Sequence, residues 1–151
     1  GEHRPEVRRG EIPGLFVTSS GVPVGSEVEV DVVLTPVGRA VEVAGVVRAG
    51  WQGDCRRCLR PVSGSLETPV REVFEPDHEE GETYPLAHDE IDLEALARDT
   101  VMLELPPAPL CHETCQGFCP TCGVDRNECQ CSCAPALDPR WSVLEELRDS
   151  E

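Results

Sequence analysis

Lysine is absent from this 151-residue sequence, so every basic side chain is an arginine. We attribute this to codon bias in a G+C-rich genome. Aromatic residues are scarce, with three Phe, one Tyr and two Trp, so we expect a modest core of Val and Leu that gains stability from bound metal. Long apolar runs are missing as well. The longest, around residues 43–47, contains Gly45 and is too short for a membrane span or a signal peptide.

Acidic charge is concentrated in one half of the chain. Residues 1–71 hold nine Arg and nine Asp or Glu, whereas residues 72–151 hold four Arg and twenty Asp or Glu, which accounts for the net charge of −16. Such a surface repels phosphate backbones, and direct duplex binding needs a basic footprint. A basic protein is therefore the favoured partner. The candidates for an RNA-facing patch are Arg56, Arg57 and Arg60, with Arg4, Arg8 and Arg9 near the amino end, unless these pair with the acidic half.

Nine cysteines stand out against this composition. Two lie in Cys55-Arg-Arg-Cys58, and seven lie between Cys111 and Cys133. Two distant C-x2-C pairs are typical of tetrahedral thiolate sites, and soft thiolates favour Zn²⁺ or Fe–S iron over Mg²⁺ or Ca²⁺. A disulfide framework suits small secreted domains and fits an odd cysteine count poorly. The cysteines therefore predict two four-thiolate zinc sites in a protein of the reducing cytoplasm.

The hydrophobic periodicity predicts an α+β fold, with an antiparallel β-sheet or partial barrel and two short helices. Residues 26–35, 41–47 and 65–74 alternate like strands, with Cys55 and Cys58 in the connection before the third. Residues 75–90 form an acidic loop, and residues 92–104 follow a helical period after a capping Asp92. A second helix is expected from Asp138. We expect a sheet domain over residues 1–110 and a cysteine-rich zinc-binding segment with the second helix over 111–151.

The order of these motifs resembles the YceD-like family of large ribosomal RNA subunit accumulation proteins. The likeness spans about residues 28–147. It rests on Cys55-Arg-Arg-Cys58-Leu59-x-Pro61, Ile91-Asp92-Leu93, Leu105-Pro106, Cys111-x3-Cys115-x-Gly117-x-Cys119-Pro120-x-Cys122-Gly123, then Asn127, Cys129, Cys131 and Asp138-Pro139-Arg140-Trp141.

The resemblance implies a bacterial, cytoplasmic, non-catalytic protein needed for normal levels of large-subunit ribosomal RNA. Its partner would be a ribosomal protein or pre-ribosomal particle of the large subunit. Some family members keep the first C-x2-C pair and lack counterparts of the later cysteines. That pattern implies one zinc site of Cys55, Cys58, Cys111 and Cys115, and a second of Cys119, Cys122, Cys129 and Cys131. Cys133 would be spare, or would displace Cys129, and His112 adjoins a ligand that it could replace.

A redox-active or Fe–S cysteine enzyme is the contending class. Cys115-x3-Cys119-x2-Cys122 matches the three-cysteine motif of radical-SAM enzymes, but only 29 residues follow it and antiparallel strands precede it. A redox C-x2-C would need a thioredoxin-like βαβ context, which Cys55 lacks. A zinc-ribbon nucleic-acid module fits the cysteines and conflicts with the charge.

Overall fold

This computed structural model describes residues 3–134 and residue 140. Within that part of the chain there are six strands and one helix. The strands are β1 (Arg4–Gly10), β2 (Ser20–Gly21), β3 (Val28–Val37), β4 (Ala40–Asp54), β5 (Pro61–Glu75) and β6 (Tyr84–Pro85), and the helix is α1 (Leu93–Glu104). The strands form one open sheet in the order β1-β3-β4-β5-β6, with β2 pairing near the end of β4.

The predicted three-strand meander forms the centre of this sheet. β3 buries Val28, Val30 and Val32 on one face, because alternate side chains of a strand point to opposite faces. β4 and β5 pair antiparallel along their length, from Val41 opposite Phe74 to Asp54 opposite Pro61. Residues 55–60 connect these two long strands, so the first C-x2-C pair lies where the sequence predicts it.

The α+β class is confirmed, and the sheet differs from the prediction in two ways. The strands β1 and β2 were not predicted. β6 runs parallel to the end of β5, so the sheet is mixed, because the acidic loop carries the chain back alongside Phe74 before it pairs. The predicted helix from Asp138 lies outside the described residues, and α1 is the one helix within them.

Helix α1 closes the core over one face of the sheet. Asp92 caps it by accepting hydrogen bonds from the backbone N–H groups of Glu94 and Ala95, at 3.0 and 3.2 Å. The buried side chains of α1 pack with the sheet valines in one apolar cluster. Its fully buried members include Leu96, Ala97, Val101, Leu105, Val32, Val43, Val47 and Phe74. Leu105 and the following prolines carry the chain from this core towards Cys111.

The opposite face of the sheet pairs its arginines with carboxylates of the same face. Glu29 of β3 contacts Arg9 of β1 and Arg48 of β4, and Arg48 also reaches Glu67 of β5 at 3.1 Å. On the other face, which carries the core valines, Arg4 and Arg8 of the edge strand β1 both contact Glu6. The amino-terminal arginines that were candidates for an RNA-facing patch are therefore partnered within the sheet.

Among the described residues, no helix is long and apolar enough to cross a membrane.

Candidate metal centre

Four cysteines from two distant segments meet at the end of the sheet, and we call them the first group: Cys55, Cys58, Cys111 and Cys115. Their sulfurs all lie within 4.8 Å of one another, with Cys55 to Cys115 at 3.8 Å and Cys58 to Cys111 at 3.5 Å. Sulfurs bound tetrahedrally to zinc at 2.3 Å are about 3.8 Å apart. The first group therefore has the spacing of a four-thiolate metal site.

The connection between β4 and β5 shapes one half of this group. Cys55 N–H bonds to Arg60 O and Leu59 N–H to Cys55 O, both at 2.8 Å, so the chain turns back within six residues. Leu59 has a φ of 55° in this turn. Burial raises the pKa of Cys55, but backbone N–H groups of Cys111, Arg57 and Cys58 outweigh it and lower this pKa to about 6. The fold thus favours a thiolate at Cys55.

The segment after α1 supplies the other half. Ser20 Oγ donates to Pro106 O at 2.7 Å, and Arg56 N–H donates to Pro109 O at 2.9 Å. These bonds fix the proline-rich segment against β2 and the first C-x2-C turn. Cys111 and Cys115 follow, and Cys115 is only 1% exposed. Burial and the neighbouring sulfurs raise the pKa of Cys111 to about 12, because a second negative sulfur beside the first is unfavourable.

A second group lies further along the chain: Cys119, Cys122, Cys131 and Cys133, with sulfurs also within 4.8 Å. The turn at its first pair matches the one at Cys55, because Gly123 N–H bonds to Cys119 O and Cys119 N–H to Val124 O, both at 2.8 Å. Backbone N–H groups of Cys122 and Thr121 lower the pKa of Cys119 to about 6. Cys122 is exposed, so the second group is the more open of the two.

The structure places Cys133, rather than Cys129, with the second group. Cys129 N–H bonds to Asp125 O at 3.0 Å, which makes Cys129 the last residue of a turn. Because that turn occupies residues 125–129, the chain returns to the sulfurs of Cys119 and Cys122 only from Cys131 onward. The spacing of the cysteines in the sequence does not predict hydrogen bonds of this kind. His112 Nδ1 lies 3.5 Å from Cys111 Sγ and is not needed to complete the first group.

The grouping also separates the three cysteines of the radical-SAM-like motif. Cys115 belongs to the first group, whereas Cys119 and Cys122 belong to the second. Three thiolates from that motif therefore do not converge on one cluster. A site with four protein thiolates has no open coordination position for a substrate, which is the arrangement of structural zinc sites.

Close contacts join the two groups. Arg57 Nη1 donates to Cys115 O at 2.7 Å, and Phe118 N–H donates to Arg57 O at 3.2 Å. Gly117, buried and with a φ of +67°, lies against Arg57: a Cβ at this glycine would be 2.7 Å from Arg57 O. Arg60 contacts Asp125, at 2.7 Å, and Glu128. Arg57 and Arg60 thus hold the cysteine segments together, although they are exposed like Arg56.

Comparisons with known proteins identify relatives of this chain. The chain is 37% identical over 134 residues to an uncharacterized protein of Mycobacterium tuberculosis, covering 84% of this chain and 65% of that protein. It is 30% identical over 140 residues to an uncharacterized protein of Mycobacterium leprae, covering 88% of this chain and 63% of the relative. The chain thus spans slightly less than two thirds of these relatives' length.

A more distant relative carries a descriptive name. The chain is 26% identical over 159 residues to the maize chloroplast protein named large ribosomal RNA subunit accumulation protein YCED homolog 1, covering 82% of this chain and 54% of that one. No solved structure matches the chain. The model of the family described as large ribosomal RNA subunit accumulation protein YceD matches residues 43–148, which include all nine cysteines and α1. The chain therefore belongs to the YceD family.

Proposed function

We propose that this protein is a non-enzymatic zinc-binding factor of the bacterial cytoplasm that supports accumulation of large-subunit ribosomal RNA by binding a basic ribosomal protein. The two cysteine groups would each hold one zinc ion. The first group would fix the cysteine segment to the sheet, and the second would fix the segment's own fold. Neither ion would act on a substrate, because four thiolates fill the coordination shell.

One observation carries the choice of a basic partner: residues 77–104, called here the acidic segment, hold ten carboxylates and a single arginine. All ten of its carboxylate side chains are exposed: Asp77, Glu79, Glu80, Glu82, Asp89, Glu90, Asp92, Glu94, Asp99 and Glu104. Arg98 is its one arginine, and this arginine bonds to Glu94 at 2.9 Å. A surface of this charge raises the encounter rate with a cationic protein and repels nucleic acid.

Metal on the cysteines strengthens the same electrostatic argument. Two zinc ions held by eight thiolates add charge of −2 per site to the formal net charge of −16. The arginines leave little basic surface in compensation, because those of β1 and β4, together with Arg57 and Arg60, contact carboxylates or backbone of this same chain. A small basic protein of the large subunit is the partner that this distribution favours.

A binding titration tests the partner. The zinc-loaded protein is titrated with small basic large-subunit proteins and, separately, with large-subunit RNA at physiological salt. A triple variant, Glu79→Gln, Glu80→Gln and Glu82→Gln, should weaken protein binding about tenfold, chiefly by slowing association. The matched control changes three exposed glutamates elsewhere, Glu11, Glu27 and Glu113, to Gln and has the same net charge.

The two sets of variants give distinct outcomes. Equal weakening in both triple variants would mean that total charge, and not the acidic segment, governs binding. Tight RNA binding that Arg56→Ala abolishes, without binding of any basic protein, would contradict the proposal. Arg56 is the suitable arginine for this arm, because changing Arg57 or Arg60 would also break contacts to the cysteine segment.

Metal content tests the remaining alternative. Colourless protein with about two zinc ions per chain is expected for the two four-thiolate sites. Brown protein containing iron and sulfide would instead support the Fe–S enzyme class.

A further inference from the structure

Asn127 belongs to the loop of the second group yet contacts the first. Its Nδ2 donates to Cys115 Sγ at 3.5 Å and to Asp125 Oδ1 at 2.7 Å. Its Oδ1 accepts from the backbone N–H of Gln116 at 2.8 Å. Each hydrogen of the amide has an acceptor and its oxygen has a donor, so the side chain is fixed in one orientation. The flipped amide would turn its oxygen towards a sulfur and a carboxylate.

The loop that presents Asn127 is closed at both ends by the second group. Cys119 and Cys122 precede it, and Cys131 and Cys133 follow it. Asp125 in the same loop accepts from Arg60 at 2.7 Å, and Arg60 belongs to the turn that carries Cys55 and Cys58. A metal ion on the second group would therefore hold Asn127 and Asp125 in place against the first group.

A hydrogen bond to a metal-bound thiolate stabilises the negative sulfur and fixes its direction. Cys115 is 1% exposed, so water cannot readily replace the Asn127 amide if it is removed. Such contacts around the ligands of a metal site typically change metal affinity by about 10–100-fold.

We infer that Asn127 is a positioning residue through which the second cysteine group strengthens metal binding at the first. This inference rests on the metal binding proposed above and adds an energetic coupling between the two sites. Because a coupling free energy is reciprocal, metal at the first group also favours metal at the second.

Metal release from the whole 151-residue chain measures the coupling. Zinc is withdrawn by graded chelator, and the release phase that is absent from Cys122→Ser is assigned to the second group. Asn127→Leu removes donor and acceptor, whereas Asn127→Asp keeps the acceptor for Gln116 N–H and replaces the donor with a carboxylate oxygen that faces Cys115 and Asp125. The matched control is Gln130→Leu, the same change at an exposed amide three residues further along the loop.

Both Asn127 variants should weaken zinc binding at the first group about tenfold or more, and Gln130→Leu should leave it within about twofold of the wild-type value. With Co²⁺ in place of zinc, losing the N–H donor should move the sulfur-to-metal charge-transfer band to longer wavelength. A purely structural role of Asn127 would not move this band, because the sulfur would keep its electron density.

A double-mutant cycle isolates the coupling itself. In the Cys122→Ser background the loop is no longer closed by metal, so adding Asn127→Leu should cost the first group only about twofold. An undiminished tenfold effect in that background, or wild-type affinity and spectrum in the Asn127 variants, would overturn the inference. Wild-type protein that binds no metal would overturn the proposed zinc binding together with it. Two bound ions with an inert Asn127 would overturn this inference alone.

Discussion

Replacing Gly117 with alanine should break the contact between the two cysteine segments, and a second glycine provides the control. Gly117 has a φ of +67° and Gly123 a φ of +73°, so an alanine at either position adopts the left-handed region at a cost of about 1–2 kcal/mol. The two glycines differ in how much room surrounds an added Cβ atom. A Cβ at Gly117 would lie 2.7 Å from Arg57 O and 3.1 Å from Arg57 Cβ, whereas nothing lies within 4 Å of one at Gly123.

The crowding at Gly117 cannot be relieved by a side-chain rotation, because its nearest atom is a backbone oxygen. That oxygen also accepts the hydrogen bond from Phe118 N–H. Overpacking of a buried site costs typically about 1–3 kcal/mol. Gly117→Ala should therefore lose about 2–5 kcal/mol of unfolding free energy, and Gly123→Ala only about 1–2 kcal/mol.

Denaturant unfolding of the zinc-loaded variants measures this difference, and chelator-driven zinc release shows where it acts. Gly117→Ala should speed release from the first group, since the displaced backbone belongs to the turn between Cys55 and Cys58. Equal losses of stability in the two variants, or a larger loss at Gly123, would refute the argument that Arg57 and Gly117 hold the segments together.

Two further predictions concern the core and the cysteine groups. Leu96→Ala in α1 should lower the free energy of unfolding by about 2–5 kcal/mol because Leu96 is fully buried; Leu103→Ala, at a side chain 84% exposed, should change it by less than about 0.5 kcal/mol. Cys55→Ser should loosen the sheet half and the tail together in hydrogen exchange, whereas Cys122→Ser should loosen mainly residues after 116. Equal global unfolding in both cysteine variants would show that the groups are not the separate units described here.

The strands and helix that carry the core were predictable because their burial follows a regular period. β3 alternates buried valines with half-buried or exposed residues, and α1 repeats its buried positions at helical spacing. β1 lacks such a signal. Every residue from Arg4 to Gly10 is exposed except the half-buried Glu6, so pairing with β3 stabilises this edge strand without an apolar face for the sequence to reveal.

Cysteine chemistry made it possible to predict from the sequence that the candidate site binds metal. Nine thiols, four of them in two C-x2-C pairs, indicate metal, and the family resemblance implies the membership of the first group. Three features depend on hydrogen bonds of the folded loop that residue spacing does not encode. The turn from Asp125 to Cys129 brings Cys133 to the second group in place of Cys129. The roles of Arg60 and Asn127 arise from the same folded loop, and a polar residue between cysteines gives no sign of them in advance.

The first group joins parts of the chain that are synthesised far apart in time. Cys58 and Cys111 are 53 residues apart, whereas fourteen positions separate Cys119 from Cys133. Closing the longer loop costs about 1 kcal/mol more chain entropy than closing the shorter one. A nascent chain emerges from its amino end, so β1 to β5 and α1 all leave the ribosome before Cys115 does. The strands of the sheet are therefore free to pair before the first group is complete, and a metal ion can bind all four of its thiols only after every residue of the core has been synthesised.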